Sequence, residues 1–281
     1  MSRGRKNNLN PSYTFESFVV SRSNRFAYEV ARSISSAPGG NHNPVLIYGE
    51  EGTGKTHLLH AIGNEIALQS PEVKVCYMPI LTLERGLWIA SQLRKTHEIL
   101  KIFDYHDVFL IDDLHRIGYK ALLLLLFYIP GLCHRKQQVV MAYDGSCVPD
   151  DEREVLIDSF EGLLMVDVQP HETETRKEII IRKAKARYGI QVPEEVSDFI
   201  SCTDYPLKKL DFLFDKMKPI IEETKGCIDL DTIKDLTGYK EKRVIDRVKI
   251  DHLIEEFKNR YLDDIDILLQ EISRIRKKIG S

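Results

Sequence analysis

The residues Gly49-Glu50-Glu51-Gly52-Thr53-Gly54-Lys55-Thr56 match the phosphate-binding pattern G-x-x-x-x-G-K-[ST]. The apolar run at 45–48 before them is typical of a buried parallel strand. Apolar residues at helical spacing follow over 57–67. A strand, a glycine loop and a helix in this order predict a site where loop N–H groups and the helix N-terminus bind phosphate.

The residues of this loop have separate predicted roles. Lys55 is expected to reach the outer phosphates of a nucleotide, and the Thr56 hydroxyl is expected to ligate Mg²⁺. Nucleotide contact is predicted for the loop and the first turn of the helix, namely Glu51, Gly52, Thr53, Gly54, Lys55, Thr56 and His57.

The bulk properties of the 281 residues narrow the class of protein. The net charge is −3 and the pI about 6.3, so no overall basic field favours nucleic acid. Five widely spaced cysteines without a C-x-x-C pair indicate reduced thiols. Because the start is polar and the longest apolar run is too short for a membrane, we expect a cytoplasmic protein.

A second motif supplies two adjacent carboxylates. The run Val108-Phe109-Leu110-Ile111 is typical of a buried strand, and it leads directly into Asp112 and Asp113. Such a strand delivers its last side chains beside the phosphate loop. We therefore expect Asp112 to hold Mg²⁺ through water and Asp113 to polarise the attacking water.

Three long motifs resemble the ATPase domain of the bacterial replication initiator DnaA, an AAA+ family. They are L-N-P-x-Y-T-F-x-x-F-V-V at 9–20, S-N-R-F-A at 23–27, and N-P-x-x-I-Y-G-x-x-G-x-G-K-T-H-L-x-H-A-I-G at 43–63. The resemblance continues more loosely to about residue 240. It implies ATP or ADP with Mg²⁺ as ligands, and it places Val19, Val20 and Asn24 near the adenine.

The resemblance also implies a fold and its division into parts. The fold is α/β, an AAA+ P-loop NTPase with a parallel sheet flanked by helices, then a small all-helical lid and a C-terminal helical tail. We expect a disordered arm at 1–8, the nucleotide-binding domain at 9–170, the lid at 171–240 and the tail at 241–281.

Several positions depart from the family pattern for sensing and hydrolysing ATP. Asp144 matches the first sensor, but Ala142 and Tyr143 replace the small hydroxyl residues beside it. Lys208 stands where the family has a second sensor arginine, so the charge is kept and the planar fork is lost.

The arginine finger is a further departure. Ser159 stands where the family has the arginine that reaches a neighbouring subunit's ATP, and Ile157 replaces the earlier arginine of that motif. Serine has no positive charge to stabilise the transferred phosphoryl group. Arg153, about two helical turns before Ser159, is the nearby arginine that could replace the finger.

For two predicted helices, the sequence does not decide what their side chains contact. A helix is predicted over 82–103, where Arg85, Arg94, Lys95 and Lys101 either contact single-stranded DNA or form a solvated face. The leucine-rich run 121–129 is apolar on every helical face, so we expect it to be buried on all sides, in the core or against a partner.

The last forty residues do not resemble the family, which continues into a helix-turn-helix DNA-binding domain. Their apolar residues recur mostly every three or four positions, which is typical of a coiled coil that dimerises or docks, or of a helix folded onto the lid. They are Ile250, Ile254, Phe257, Tyr261, Ile265, Leu268, Ile272, Ile275 and Ile279.

Three functions follow from these features. The favoured one is a regulatory or adaptor module linked to DNA replication, which binds ATP or ADP with weak or no hydrolysis and contacts a protein or a second copy. The alternative is an ATP-dependent, self-assembling AAA+ ATPase that binds or remodels DNA. Direct binding of single-stranded DNA through the helix at 82–103 is the third, and the net charge does not support it.

Overall fold

The computed structural model describes residues 8–146, 160, 162–203, 205–224 and 228–239. Most of the predicted arm at 1–8 and all of the tail at 241–281 lie outside the described residues. The same holds for Arg153, Ile157 and Ser159, so the predictions for these positions rest on sequence alone. One compact unit extends to Ile233.

A five-stranded parallel sheet forms the centre of this unit. Its strands lie in the order β2-β3-β4-β1-β5, and every pair is parallel. Two of the five strands lie where the apolar runs at 45–48 and 108–111 predict them, and the last strand in the sequence follows Phe160. The bounds are β1 Val45–Gly49, β2 Val75–Pro79, β3 Val108–Asp112, β4 Gln138–Asp144 and β5 Leu164–Val168.

The sheet is buried on both faces, which explains why its strands are continuous apolar runs. On β1, Val45 and Ile47 point into one core cluster and Leu46 into the other. On β3, Leu110 points into the first cluster and Phe109 into the second, because successive strand residues face opposite sides. The predicted parallel sheet flanked by helices is confirmed.

Among the described residues up to 146, six helices pack around this sheet. Two of them, α1 and α2, cover one face, and α3 and α6 cover the other. The bounds are α1 Arg25–Ser36, α2 Lys55–Gln69, α3 Ile80–Gln92, α4 Thr96–Leu100, α5 Ile102–Tyr105 and α6 Tyr119–His134.

The prediction of a single helix over 82–103 is wrong, because three helices occupy this region. Arg94 adopts a left-handed conformation with φ 54° after the end of α3. The Lys95 N–H then donates to the Ala90 carbonyl at 2.8 Å, and the Arg94 N–H donates to Ser91 at 3.2 Å. This pair of bonds is a Schellman motif, which ends a helix even without glycine.

Within this chain the leucine-rich helix α6 is buried on one face only, so the expectation that the core covers every face is wrong, while burial of the other face against a partner stays a prediction. Ala121, Leu125 and Ile129 face the core, whereas Leu123 is exposed and Phe127 is 79% exposed. The all-apolar pattern could not tell these faces apart. Among the residues that the structure describes, neither α6 nor any other helix is long and apolar enough to cross a membrane.

The predicted lid region is helical. Arg176 supports it, because its guanidinium donates to the carbonyls of Ser201 at 3.0 Å and Tyr205 at 2.8 Å, next to the end of the second lid helix. The bounds are α7 Thr173–Lys183, a π-helical turn Ala184–Tyr188, α8 Glu194–Cys202, a 3₁₀ turn Leu207–Lys209, α9 Leu210–Glu223 and α10 Leu230–Thr237.

The Schellman motif gives a stability prediction. We expect Arg94→Gly to raise the free energy of unfolding by about 0.5–1 kcal/mol, because glycine adopts positive φ without a Cβ clash. Arg85→Gly is the matched control inside α3, where the same change should lower it by about 1 kcal/mol. Urea unfolding followed by circular dichroism measures both variants, and a loss of stability in Arg94→Gly would contradict the motif.

Candidate functional site

A cleft of about 1230 Å³ opens at the carboxyl ends of the parallel strands. The register pairs Gly49 at the end of β1 with Asp144 at the end of β4. Asp112 ends β3, which is paired to the other side of β4. Ligands of open parallel sheets bind at this edge. The topology therefore brings the phosphate loop and the predicted carboxylates together.

The phosphate loop has the conformation that its glycines predict. Gly52 and Gly54 have φ 83° and 101°, values that residues with a side chain rarely adopt. Gly49 has no room for a Cβ, which would lie 2.2 Å from the Val168 carbonyl oxygen. The loop is thus held against β5 and opens toward the cleft.

The N-terminus of α2 fits a phosphate group. The N–H groups of Lys55, Thr56 and His57 make no backbone hydrogen bonds within the described part of the chain. Free N–H groups at a helix start, together with the helix dipole, form an anion site. The Lys55 ammonium donates to the carbonyls of Gly49 at 2.8 Å and Glu50 at 2.6 Å. These groups fit the predicted nucleotide phosphates.

The two adjacent aspartates differ in their surroundings. Asp112 is 4% exposed, and its two carboxylate oxygens accept hydrogen bonds from the Tyr77 hydroxyl at 2.7 Å and the Asp113 N–H at 2.9 Å. Asp113 has a left-handed backbone with φ 57° and lies at the cleft wall. Burial, followed by the charge of Asp112, raises the pKa of the Asp113 carboxyl.

Asp144 completes the carboxylate group around Lys55. Its Oδ1 accepts hydrogen bonds from the Ser146 N–H at 3.0 Å and hydroxyl at 2.6 Å. Burial raises the pKa of Asp144, but these bonds and the Lys55 charge outweigh it and lower the pKa overall. Burial lowers the pKa of Lys55, while the nearby carboxylates, Asp144 foremost, act to raise it.

The residues predicted near the adenine occupy different depths. Val19 lines the cleft, whereas Val20 packs against the core beside it and does not line the cleft. Asn24 is 1% exposed and lies behind Val19. Its amide donates to the Val19 carbonyl at 2.9 Å and its oxygen accepts the Ser21 N–H at 2.8 Å. Asn24 therefore fixes the turn that presents Val19.

The remaining predicted loop residues are also placed by the structure. Glu51, Gly52, Gly54, Lys55, Thr56 and His57 line the cleft. Thr53 is buried beneath the loop, where its hydroxyl donates to the Glu50 carbonyl at 2.9 Å. Lys208 approaches the cleft from the lid and forms an ion pair with Glu51. This pair joins the lid to the phosphate loop.

His57 belongs to an aromatic wall that the sequence did not reveal. Its ring stacks on Tyr13 at 4.8 Å and meets the edge of Phe18 at 5.1 Å. Its Nε2 lies 2.9 Å from the Thr14 carbonyl oxygen and so donates to it. His57, Tyr13 and Phe18 all line the cleft and provide flat apolar surface suited to a nucleobase.

Sequence reasoning also missed the lid face of the cleft. Five of its six residues recur at i, i+3, i+4, i+7 and i+8 along α7 and the following π-helical turn, a spacing that could have identified them. The Asp211 carboxylate forms ion pairs with the side-chain nitrogens of Lys183 and Arg187, each at 3.1 Å, so part of the positive charge of this face is neutralised. The residues are Ile179, Arg182, Lys183, Lys185, Ala186 and Arg187.

Two further histidines line the cleft without having been predicted. The Nδ1 atoms of His115 and His171 are buried and have no hydrogen-bond partner among the described residues. His115 follows the paired aspartates by two residues, so its proximity to them was visible in the sequence. No pattern in the chain pointed to His171.

The buried His57 gives a pH prediction. Burial lowers the pKa of His57 to about 4 in the folded protein, against about 6.5 when unfolded. Protons therefore bind the unfolded state preferentially below pH 6.5, and stability is lost as the pH falls from 6.5 toward 4. His57→Gln does not titrate, so its loss of unfolding free energy between pH 7 and pH 5 should be about 2 kcal/mol smaller than that of the wild type.

Urea unfolding at both pH values measures this difference. His42→Gln is the control, because this histidine lies in the exposed loop before β1. Equal pH dependence in His57→Gln and the wild type would contradict the burial of a neutral imidazole at this position.

The sequence of this chain is similar to the sequences of known proteins. The family model for the bacterial DnaA ATPase domain matches residues 9–154. The chromosomal replication initiator protein DnaA of Symbiobacterium thermophilum is 38% identical over 199 residues, which are 69% of this chain and 43% of that protein. DnaA of Chloroflexus aurantiacus is 33% identical over 258 residues, covering 88% and 53%. The chain spans about half the length of these curated relatives.

Solved structures agree with the sequence matches. Domain III of the Thermotoga maritima replication initiation protein DnaA has a TM-score of 0.72 at 31% identity, covering 81% of this chain and 96% of that one. AMPPCP-bound DnaA from Aquifex aeolicus has a TM-score of 0.65 at 26% identity, covering 90% and 74%. A DnaA bound to AMPPCP and single-stranded DNA has a TM-score of 0.63 at 26% identity, covering 77% and 69%. The chain belongs to the DnaA family of AAA+ ATPase domains.

Proposed function

We propose that this DnaA-family chain is a nucleotide-binding regulatory or adaptor module of DNA replication. In this proposal it holds ATP or ADP with Mg²⁺, hydrolyses ATP slowly or not at all, and acts through protein–protein contacts. The observation that carries the proposal is a contrast within one chain. The phosphate loop and the carboxylates around it are assembled, whereas the finger and second sensor positions hold Ser159 and Lys208.

The chain's own residues account for binding. The N–H groups at the start of α2 and the Lys55 ammonium would hold the phosphates, and the aromatic wall beside Val19 would hold the base. Thr56 and Asp112 would hold Mg²⁺, Thr56 directly and Asp112 through water. When bound, the ion neutralises phosphate charge.

The proposed slow hydrolysis follows from the residues at the finger and second sensor positions. In this proposal Asp113 would polarise the attacking water, and Asp144, which lines the same cleft near Lys55, would be the first sensor. An arginine finger contributes about 10³–10⁵ in rate, and a serine at position 159 supplies no such charge. Lys208 keeps a charge near the phosphates but lacks the planar fork that binds them bidentately.

The comparisons support both the proposal and its alternative. Two relatives were solved with AMPPCP, which supports a nucleotide in this cleft. One of them also holds single-stranded DNA, which favours the alternative of an ATP-dependent, self-assembling ATPase that binds or remodels DNA. Of the four basic residues that either contact DNA or form a solvated face, Lys95 forms an ion pair with Glu98 at 3.4 Å.

The proposed function also includes a protein–protein contact made by the tail. The tail at 241–281, with its apolar stripe, is proposed to bind a protein or a second copy of the chain. The family's role in replication would place this activity in the cytoplasm.

Nucleotide titration tests the proposed function. Fluorescent ADP and ATP should bind with dissociation constants within about tenfold of each other, because no finger or sensor arginine distinguishes the γ-phosphate. Single-turnover hydrolysis should be on the order of 10⁻³ s⁻¹ or slower, as in P-loop GTPases without a finger. Fast turnover together with a strong preference for ATP would favour the alternative, and no binding of either nucleotide would overturn the proposal.

The contribution of the lid is tested by a matched pair of lysine variants. Lys208→Ala should weaken ADP binding about fivefold to tenfold, because it removes a cation that faces the phosphate loop. Lys209→Ala should bind as the wild type does, because Lys209 is exposed and does not line the cleft. Equal affinities in the two variants would show that the lid lysine does not contact the nucleotide.

A further inference from the structure

We propose that Tyr77 is a positioning residue that holds Asp112 in the orientation needed for Mg²⁺. The inference rests on the proposed function, because it concerns the carboxylate assigned there to the ion. Tyr77 lies on β2 and does not line the cleft, so it acts on the site only through its neighbour.

The hydrogen bonds of Asp112 support this role. The Tyr77 hydroxyl donates to one carboxylate oxygen at 2.7 Å, and the Asp113 N–H donates to the other at 2.9 Å. A hydroxyl donor to a carboxylate at this distance is a short, charge-assisted bond. With one donor on each oxygen, the plane of the Asp112 carboxylate is fixed, and its remaining lone pairs are available toward the cleft that it lines.

Tyr77 is in turn held by His60. The two ring centroids lie 4.1 Å apart, and His60 is 5% exposed. The His60 Nδ1 accepts the Asn10 N–H at 3.1 Å, which places the proton of the neutral imidazole on Nε2. Asn64 donates to the carbonyls of Asn10 at 2.8 Å and Tyr13 at 2.9 Å, so the N-terminal segment is fixed on the same helix face.

These contacts form one continuous chain from the N-terminal segment to the site. Asn10 orients His60, His60 packs on Tyr77, and Tyr77 orients Asp112. Partners one step away from a metal ligand commonly change metal affinity by 10–100-fold when removed.

Tyr77→Phe isolates the hydroxyl, because phenylalanine keeps the ring against His60 and removes only the donor to Asp112. Fluorescent ADP is titrated onto the full-length protein in EDTA and across a Mg²⁺ series. The Mg²⁺ concentration for half-maximal enhancement of binding should rise about tenfold in the variant, while the affinity in EDTA should equal that of the wild type.

A matched control separates this effect from a general loss of tyrosine. Tyr28 is half-buried and packs on Phe15 and Phe18, away from Asp112. Tyr28→Phe should leave the Mg²⁺ dependence unchanged. His60→Phe, which keeps an aromatic ring but loses the acceptor for Asn10, should shift it in the same direction as Tyr77→Phe, by a smaller factor.

Equal Mg²⁺ dependence in Tyr77→Phe and the wild type would overturn this inference and leave the proposed function standing. If the wild type binds no nucleotide, the proposed function fails, and Mn²⁺ titration of the nucleotide-free proteins by water proton relaxation replaces the first measurement. Weaker Mn²⁺ binding in Tyr77→Phe supports the positioning role, and equal binding overturns it.

Discussion

The parallel register of β1, β3 and β4 is the constraint on which the cleft depends. It sets Gly49 opposite Asp144 and ends β3 at Asp112, so that three strand ends bring a glycine loop and carboxylates to one edge. Lys55 stands among these carboxylates, and its charge is balanced by them while its ammonium donates to the loop carbonyls. A one-residue slip in any of these pairs would turn the side chains to the opposite face of the sheet.

The N-terminal segment completes this arrangement from outside the sheet. His57, His60 and Asn64 recur at i, i+3 and i+7 on α2, and each bonds to backbone atoms between Asn10 and Thr14. The segment thereby brings Tyr13 and Phe18 to the cleft wall. The helix that starts at the phosphate loop therefore positions the proposed base site as well as the proposed phosphate site.

Most of the fold could be predicted from sequence, because buried parallel strands are short apolar runs and the glycine loop fixes where one of them ends. The break at Arg94 could not, because a left-handed arginine has no sequence signature comparable to that of glycine. The exposed face of α6 was also hidden, since Leu123 and Leu125 differ only in what packs on them. The loop and the aspartates were found from their motifs. Tyr77 was missed because it contacts Asp112 from the neighbouring strand, a contact that no local motif specifies. The lid residues show helical spacing, but spacing alone does not specify that their face packs toward the cleft.

Under the proposed function, the residues of this chain bind nucleotide, and few of them respond to the γ-phosphate. The most direct test is the mass of the full-length protein in solution by multi-angle light scattering, first with ADP and then with ATP, in the presence of Mg²⁺. A chain that does not respond to the γ-phosphate should have the same mass in both nucleotides. Larger assemblies that form with ATP and dissociate with ADP would contradict it.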